Sequence, residues 1–126
     1  MKTDNIKENI IGDLQRLPVE MNLIATQLYT KRKEKELLDK VNKTLEFKTI
    51  LEIEAATDND GKKKYSNQTH RDNEREFRLS NNDLYQQNKD NSIELAAQID
   101  SLSSKQQFMR DQFDSAKALS RLVGDK

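Results

Sequence analysis

The sequence predicts an all-α chain, a long antiparallel two-helix hairpin of coiled-coil type, and three observations carry that prediction. Only 33% of the 126 residues are apolar while 35% are charged, a balance too polar for a thick globular core. Glycine and proline occur only at Gly12, Pro18, Gly61 and Gly124, so two long stretches run without a breaker. Within those stretches apolar residues recur at alternating steps of three and four, the spacing of a packed helical seam.

The first helix is expected over about residues 5–57, opening at Asn5 with Glu8 three residues on in a capping-box-like start. Its Lys, Glu, Gln, Leu, Arg and Ala residues lose little rotamer freedom in a helix. Pro18 falls inside it, where a proline removes one backbone hydrogen bond and crowds the preceding turn. The seam passes from Leu17 to Met21 without losing phase, so a kink is expected there rather than a break. Asp58-Asn59-Asp60-Gly61 then supplies short polar side chains and a glycine tolerant of positive φ, placing a loop at about 58–65. Ser66 or Asn67 can cap a second helix running to about residue 123, with Gly124 as its end. The whole, 1–126, reads as a single helical-hairpin domain.

The seam of the first helix is Ile10, Leu14, Leu17, Met21, Ile24 and Leu28. That of the second is Leu95, Ile99, Leu102, Gln106, Met109, Phe113, Ala116, Ser120 and Val123. Folding the chain on the loop pairs Ile10 with Phe113, Leu17 with Gln106 and Leu28 with Leu95, a slide by one whole heptad being the competing register. In the favoured register Lys31 faces Ser92, Lys35 faces Asn88, and Leu38 meets Leu84 or Tyr85, which makes a polar waist between a well-packed base and a loosely packed tip. Each helix would be roughly 80 Å long at 1.5 Å per residue. Ile11, Tyr29, Phe108, Leu119 and Leu122 lie beside the seam at the base. A stripe that wide wants more than one neighbour, so these five are the candidate oligomer interface, with a homodimer forming a four-helix arrangement at the base that holds both chain ends.

Several function classes are disfavoured. Basic and acidic residues number 22 each, which leaves no global field to attract nucleic acid. Cysteine is absent, and the lone His70 cannot supply the Glu-x-x-His pairs of a di-metal bundle; it reads as an exposed or capping residue. Gly61 stands alone, so no phosphate loop exists, and no serine has a base partner. The chain is therefore read as a non-enzyme without catalytic, metal or cofactor residues. No apolar run approaches a membrane span, and the first residues lack the pattern of a secretory signal, which points to the cytoplasm. Small secreted helical hairpins carry a Trp-x-Gly turn, and this chain has no tryptophan.

A local electrostatic role is still open at the tip. Lys62, Lys63 and Lys64 precede Tyr65, and Arg71, Arg75 and Arg78 recur at steps of four and three, on one helical face. These six are the candidate contacts to a partner or to phosphates. Asp58, Asp60, Asp72, Glu74 and Glu76 interleave with them, and the alternative is a solvated helix face.

The turn Asp60-Gly61-Lys62-Lys63-Lys64-Tyr65-Ser66-Asn67, followed by Arg71, Glu74, Arg78 and Leu79, resembles a pattern in small helical proteins encoded by phages and prophages. So do Phe108-Met109-Arg110-Asp111-Gln112-Phe113 and Ala118-Leu119-Ser120-Arg121-Leu122. Those proteins are found among recombination and replication genes, and the resemblance implies work near DNA ends, single strands or the nucleases that act on them. The expectation is an accessory protein of the host-cell cytoplasm that binds a protein of DNA recombination, repair or host defence and modulates it, for example by inhibiting a nuclease. Direct DNA or RNA binding through the Lys/Arg tip, or a structural scaffolding role, are the alternatives.

Overall fold

In the computed structural model, which describes residues 2–124, the chain is all-helical: α1 (Lys2–Ala55), α2 (Gln68–Ser80) and α3 (Asp83–Gly124). It divides into two compact units. The first comprises residues 1–32 with 97–126, and the second residues 33–96.

α1 already contains Asn5 and Glu8, so the capping-box start expected there is replaced by continuous helix. It also carries Pro18 in its interior without ending, which removes the reading of a break. α1 stops at Ala55 and the chain enters a tight turn. Asp58 dominates that turn. Its carboxylate accepts from the backbone N–H groups of Asp60 and Lys62, both at 2.9 Å. Its own N–H donates to Lys62 O at 2.7 Å, and the Gly61 N–H donates to Asp58 O at 3.1 Å. Gly61 has φ 77°, the left-handed conformation expected of a turn glycine. An antiparallel bridge between Thr57 and Lys63 ties the flanks together. Asn67 then caps α2, its side chain accepting from the His70 N–H at 2.9 Å, as one of the two expected candidates.

The second predicted helix is in two pieces. Ser80, Asn81 and Asn82 bind their own backbone in place of extending the helix. The Ser80 hydroxyl and the Asn81 amide both donate to Phe77 O, at 2.9 and 2.8 Å. The Asn82 side-chain Oδ1 accepts from the Tyr85 N–H at 3.0 Å and so caps α3. α3 then runs on through Gly124.

In the first unit Ile10, Leu17, Ile24 and Leu28 of α1 and Ala116 of α3 are buried. Leu14, Met21, Ile99, Leu102, Gln106, Met109, Phe113, Ser120 and Val123 are half-buried. Every seam position of this unit therefore turns inward. Ile10 shares one cleft with Phe108, Gln112, Ala116 and Leu119, and another with Ser120 and Val123, further along α3 than the Phe113 expected opposite it.

The second unit buries Thr49, Ile53, Leu79, Asn88, Ser92 and Leu95, and its cross-helix bonds correct the register. The Ser92 hydroxyl donates to Asp39 at 2.6 Å, not to a group near Lys31. The Asn88 amide donates to Asn42 Oδ1 at 3.1 Å, one heptad beyond the Lys35 expected there. Asn42 in turn donates to Tyr85 O at 3.0 Å, and the Tyr85 hydroxyl donates to Glu46 at 2.6 Å. Numbers rise along α1 as they fall along α3, so these segments run in opposite directions within the unit. The physical reason for the slide is donor–acceptor matching. The expected register sets ammonium groups against Ser92 and Asn88, whereas the observed one sets a carboxylate and an amide there. Lys35 is satisfied on its own helix, 2.8 Å from Asp39.

Because the chain has no cysteine, paired thiols can report this register directly. Asn42→Cys with Asn88→Cys should cross-link intramolecularly with a short bismaleimide, and Lys35→Cys with Asn88→Cys should not, as read by gel mobility. Asn42→Ala strands the buried Asn88 amide and should lower stability by about 1–3 kcal/mol in urea titration. Asp39 gives a pH signature. Lys35 foremost, and then the Ser92 hydroxyl, hold its carboxyl below the ordinary range. That stabilisation is present above the unfolded carboxyl's pKa and is lost as pH falls through the lower folded value. Ser92→Ala should therefore move the acid-unfolding midpoint to higher pH, followed by circular dichroism.

Candidate partner-binding surfaces

The turn and α2 were the first candidate surface. Lys62, Lys63 and Lys64 are exposed, and their backbone is held by the Asp58 turn and by the Lys64 N–H, which donates to Ala56 O at 3.0 Å. Three ammonium groups thus stand on a defined turn, one of them, Lys64, 5.7 Å from the centre of the Tyr65 ring.

The arginines do not form the open face that their spacing suggested. Arg71 is half-buried and donates to Tyr65 O at 3.3 Å and to Gln68 Oε1 at 3.1 Å. Arg78 donates to Glu74 at 2.8 Å, lies 3.9 Å from Glu52 of α1, and stacks 5.8 Å from the Tyr65 ring. Arg78 first, helped by Tyr65, holds the Glu74 carboxyl below its ordinary range. The 71–75–78 face is the one α2 turns toward α1: Arg71 and Arg75 share a cleft with Ile50 and Ile53. Of the three, only Arg75 is exposed. The tip is thus a lysine cluster, and the guanidinium groups of Arg71 and Arg78 are spent on internal bonds.

A site that sequence reasoning missed lies beside the Asn81–Asn82 interruption. An open cleft of about 660 Å³ is lined by Glu46, Arg75, Phe77, Tyr85 and Lys89, among others. It exists because α2 and α3 are separate helices. Glu46 pushes the Tyr85 hydroxyl above its ordinary range by accepting its proton in a hydrogen bond, with burial adding to the effect. The available signal was the Ser80-Asn81-Asn82 cluster, a run of residues that favour caps over helix interiors.

The second candidate surface is in the first unit. Ile11, Tyr29, Phe108, Leu119 and Leu122 are all exposed, from 48% for Leu119 to 68% for Leu122, but they do not share one face. Phe108 and Leu119 line a groove with Asp13, Ile10 and Ala116. Ile11 lies in a different cleft with Lys7, Val123 and Gly124. Tyr29 and Leu122 line neither.

Among the described residues no group of three or more His, Cys, Asp or Glu side chains is placed to hold a metal ion, and His70 is exposed at the start of α2. Among the described residues no helix is long and apolar enough to cross a membrane. No protein family, curated protein or solved structure matches this chain.

Nothing lies within 4 Å of where a side chain would begin at Gly61, so only the backbone opposes substitution there. Gly61→Ala should cost about 1–2 kcal/mol, the penalty of the left-handed conformation, in thermal or urea unfolding. Gly12→Ala, in the α1 interior with equally open space, should stabilise by up to about 1 kcal/mol.

Proposed function

We propose that this chain is a non-enzymatic phage or prophage accessory protein that binds a protein partner in DNA recombination, repair or host defence. In this reading it works as an antiparallel two-helix hairpin of coiled-coil type in the host cytoplasm. Two copies join into a four-helix arrangement at the end that holds both termini, and the hairpin surface engages the partner, for instance to inhibit a nuclease. The phage setting comes from the resemblance of the turn and of the last helix. The observation that carries protein binding is the row of large apolar side chains left open in the first unit, with Phe108 at 63% and Leu122 at 68% exposure. Open aromatic and leucine side chains at helical spacing are what a partner helix or groove takes up. The internal bonds of Arg71 and Arg78 count against a phosphate-gripping arginine face.

One observation favours direct DNA or RNA binding as the second reading, the exposed Lys62-Lys63-Lys64 turn. Salt titration separates the two. Three lysine–phosphate contacts would give a log–log slope of about −2.7 and a loss of roughly 40-fold in affinity between 50 and 200 mM salt. Fluorescence anisotropy with single-stranded and duplex DNA should show no such component for the full chain. A steep salt dependence that disappears on changing Lys62, Lys63 and Lys64 to Glu would transfer the function to nucleic acid. A host or phage DNA-processing protein should co-purify in fixed ratio through a high-salt wash and be lost with Phe108→Glu.

A further inference from the structure

α2 rests on the second unit through few buried groups. Among the described residues of α2 only Leu79 is buried, at 8% exposure. Arg71, Glu74 and Arg78 are half-buried, and their bonds close mostly within the segment, Arg71 on Tyr65 O and Gln68, Arg78 on Glu74. The ion pair that crosses to α1 joins Arg78 to the exposed Glu52 at 3.9 Å, and a pair of that kind adds little to stability. α2 has 13 residues, about the length at which an isolated helix is marginal in water. It persists by lying on its neighbours.

The surface beneath it is apolar. Glu46 stands opposite Tyr85, close to the start of α3 at Asp83, in the alignment set by Asn42 with Asn88. α1 therefore runs on to Ala55 past the start of α3. Along that overhang Ile53 is buried, at 2% exposure, and Ile50 is half-buried. Both share a cleft with Gln68, Arg71, Asp72 and Arg75 of α2. The end of α1 is thus roofed by a polar helix, through one leucine and the carbon stems of arginines. Phe47 and Leu51 are exposed on the same part of α1, at steps of three and four from Ile50 and from each other that bring side chains together on a helix surface.

Both ends of α2 are finished independently of the stem. At the front, the Asp58 turn and the Thr57–Lys63 bridge are complete before the helix begins. At the back, α3 starts from its own cap, with the Tyr85 N–H on Asn82 Oδ1 and the Gln86 N–H on Asn82 O, both at 3.0 Å. From this geometry we propose that α2 is a detachable cover. It opens by itself while α1 and α3 keep their register, and in opening it joins Ile50 and Ile53 to Phe47 and Leu51 as one apolar face. Local opening is governed by the contacts that the moving element makes, not by the stability of the whole. The cleft at Tyr85, walled on one side by Asn73, Arg75, Phe77 and Leu79, comes apart in the same movement. Such a cover is independent of the proposed function, since it acts within the chain alone.

Native-state amide hydrogen exchange of the full chain, followed in rising low concentrations of urea, tests it. Relative to their intrinsic rates, the amides of residues 72–80 should exchange about 100-fold faster than those of 39–46 and 86–92, with a weaker dependence on urea. Leu79→Ala should speed exchange at 72–80 by about tenfold or more and leave 39–46 and 86–92 unchanged. Uncovering is read with single thiols, because the chain has no cysteine. The thiol of Ile53→Cys should react with a maleimide about tenfold faster once Leu79→Ala is added, whereas that of Leu95→Cys, buried in the stem, should keep its rate. Equal protection and equal urea dependence in α2 and the stem, or a stem accelerated by Leu79→Ala, means that the unit opens as a whole and overturns the cover. An Ile53→Cys thiol that does not respond to Leu79→Ala overturns it too.

Discussion

The second unit depends on a pair of buried polar layers, Asp39 with Ser92 and Asn42 with Asn88. An apolar seam repeating every seven residues is satisfied almost equally well at any whole-heptad slide, because leucine against leucine carries no directional information. Hydrogen bonds do. A register that sets Lys35 against the buried Asn88 would leave an ammonium and an amide competing for acceptors in a space that offers few. In the observed one each donor meets an acceptor, and Asn42 goes on to reach Tyr85 O. The layers give up some apolar burial in exchange for a single alignment. The turn, the α2 packing and the cleft at Tyr85 all inherit their positions from that alignment.

Individual residues show what was legible in the sequence. Seam membership was, since Leu17, Ile24, Leu28 and Ala116 are buried and spacing alone identifies them. The Asp58–Gly61 turn and the Asn67 cap were legible because their chemistry is local: a short carboxylate, a residue without a Cβ, an amide that reaches its own backbone three residues on. Register was not, because it depends on which polar seam positions can satisfy each other across the helices. Matching Asp39 to Ser92 and Asn42 to Asn88 was the test the spacing argument lacked. The interruption at Asn81–Asn82 was obscured by the breaker-free composition around it. The spacing of Arg71, Arg75 and Arg78 correctly placed them on one face of α2, but spacing does not say whether a face is turned outward, and Tyr65, Glu74 and Glu52 decide that.

The ion pairs of this protein form over short distances. Arg16 with Asp13 and Glu20, Lys35 with Asp39, and Arg78 with Glu74 are pairs three or four residues apart on one helix. Such pairs on a helix surface each add little to stability. Their larger effect is on what remains. Lys62, Lys63, Arg75, Lys89 and Lys105 are among the described side chains outside these pairs, and where such charges stand, not the neutral total, sets how the surface meets another molecule.

The interruption at Asn81–Asn82 divides one expected helix into two that are each complete. Arg78 stands in the last turn of α2 and Asp83 in the first turn of α3, the signs that favour those ends of the backbone dipole, and both ends are hydrogen-bonded. The alignment of α1 with α3 in this unit is meanwhile set by Asn42 and Asn88, outside the turn and α2. The segment from residue 56 to residue 82 is therefore insulated: residues gained or lost there would alter the loop and the short helix without shifting a seam that is registered elsewhere. It is the stretch of the second unit in which a change of length would be absorbed locally.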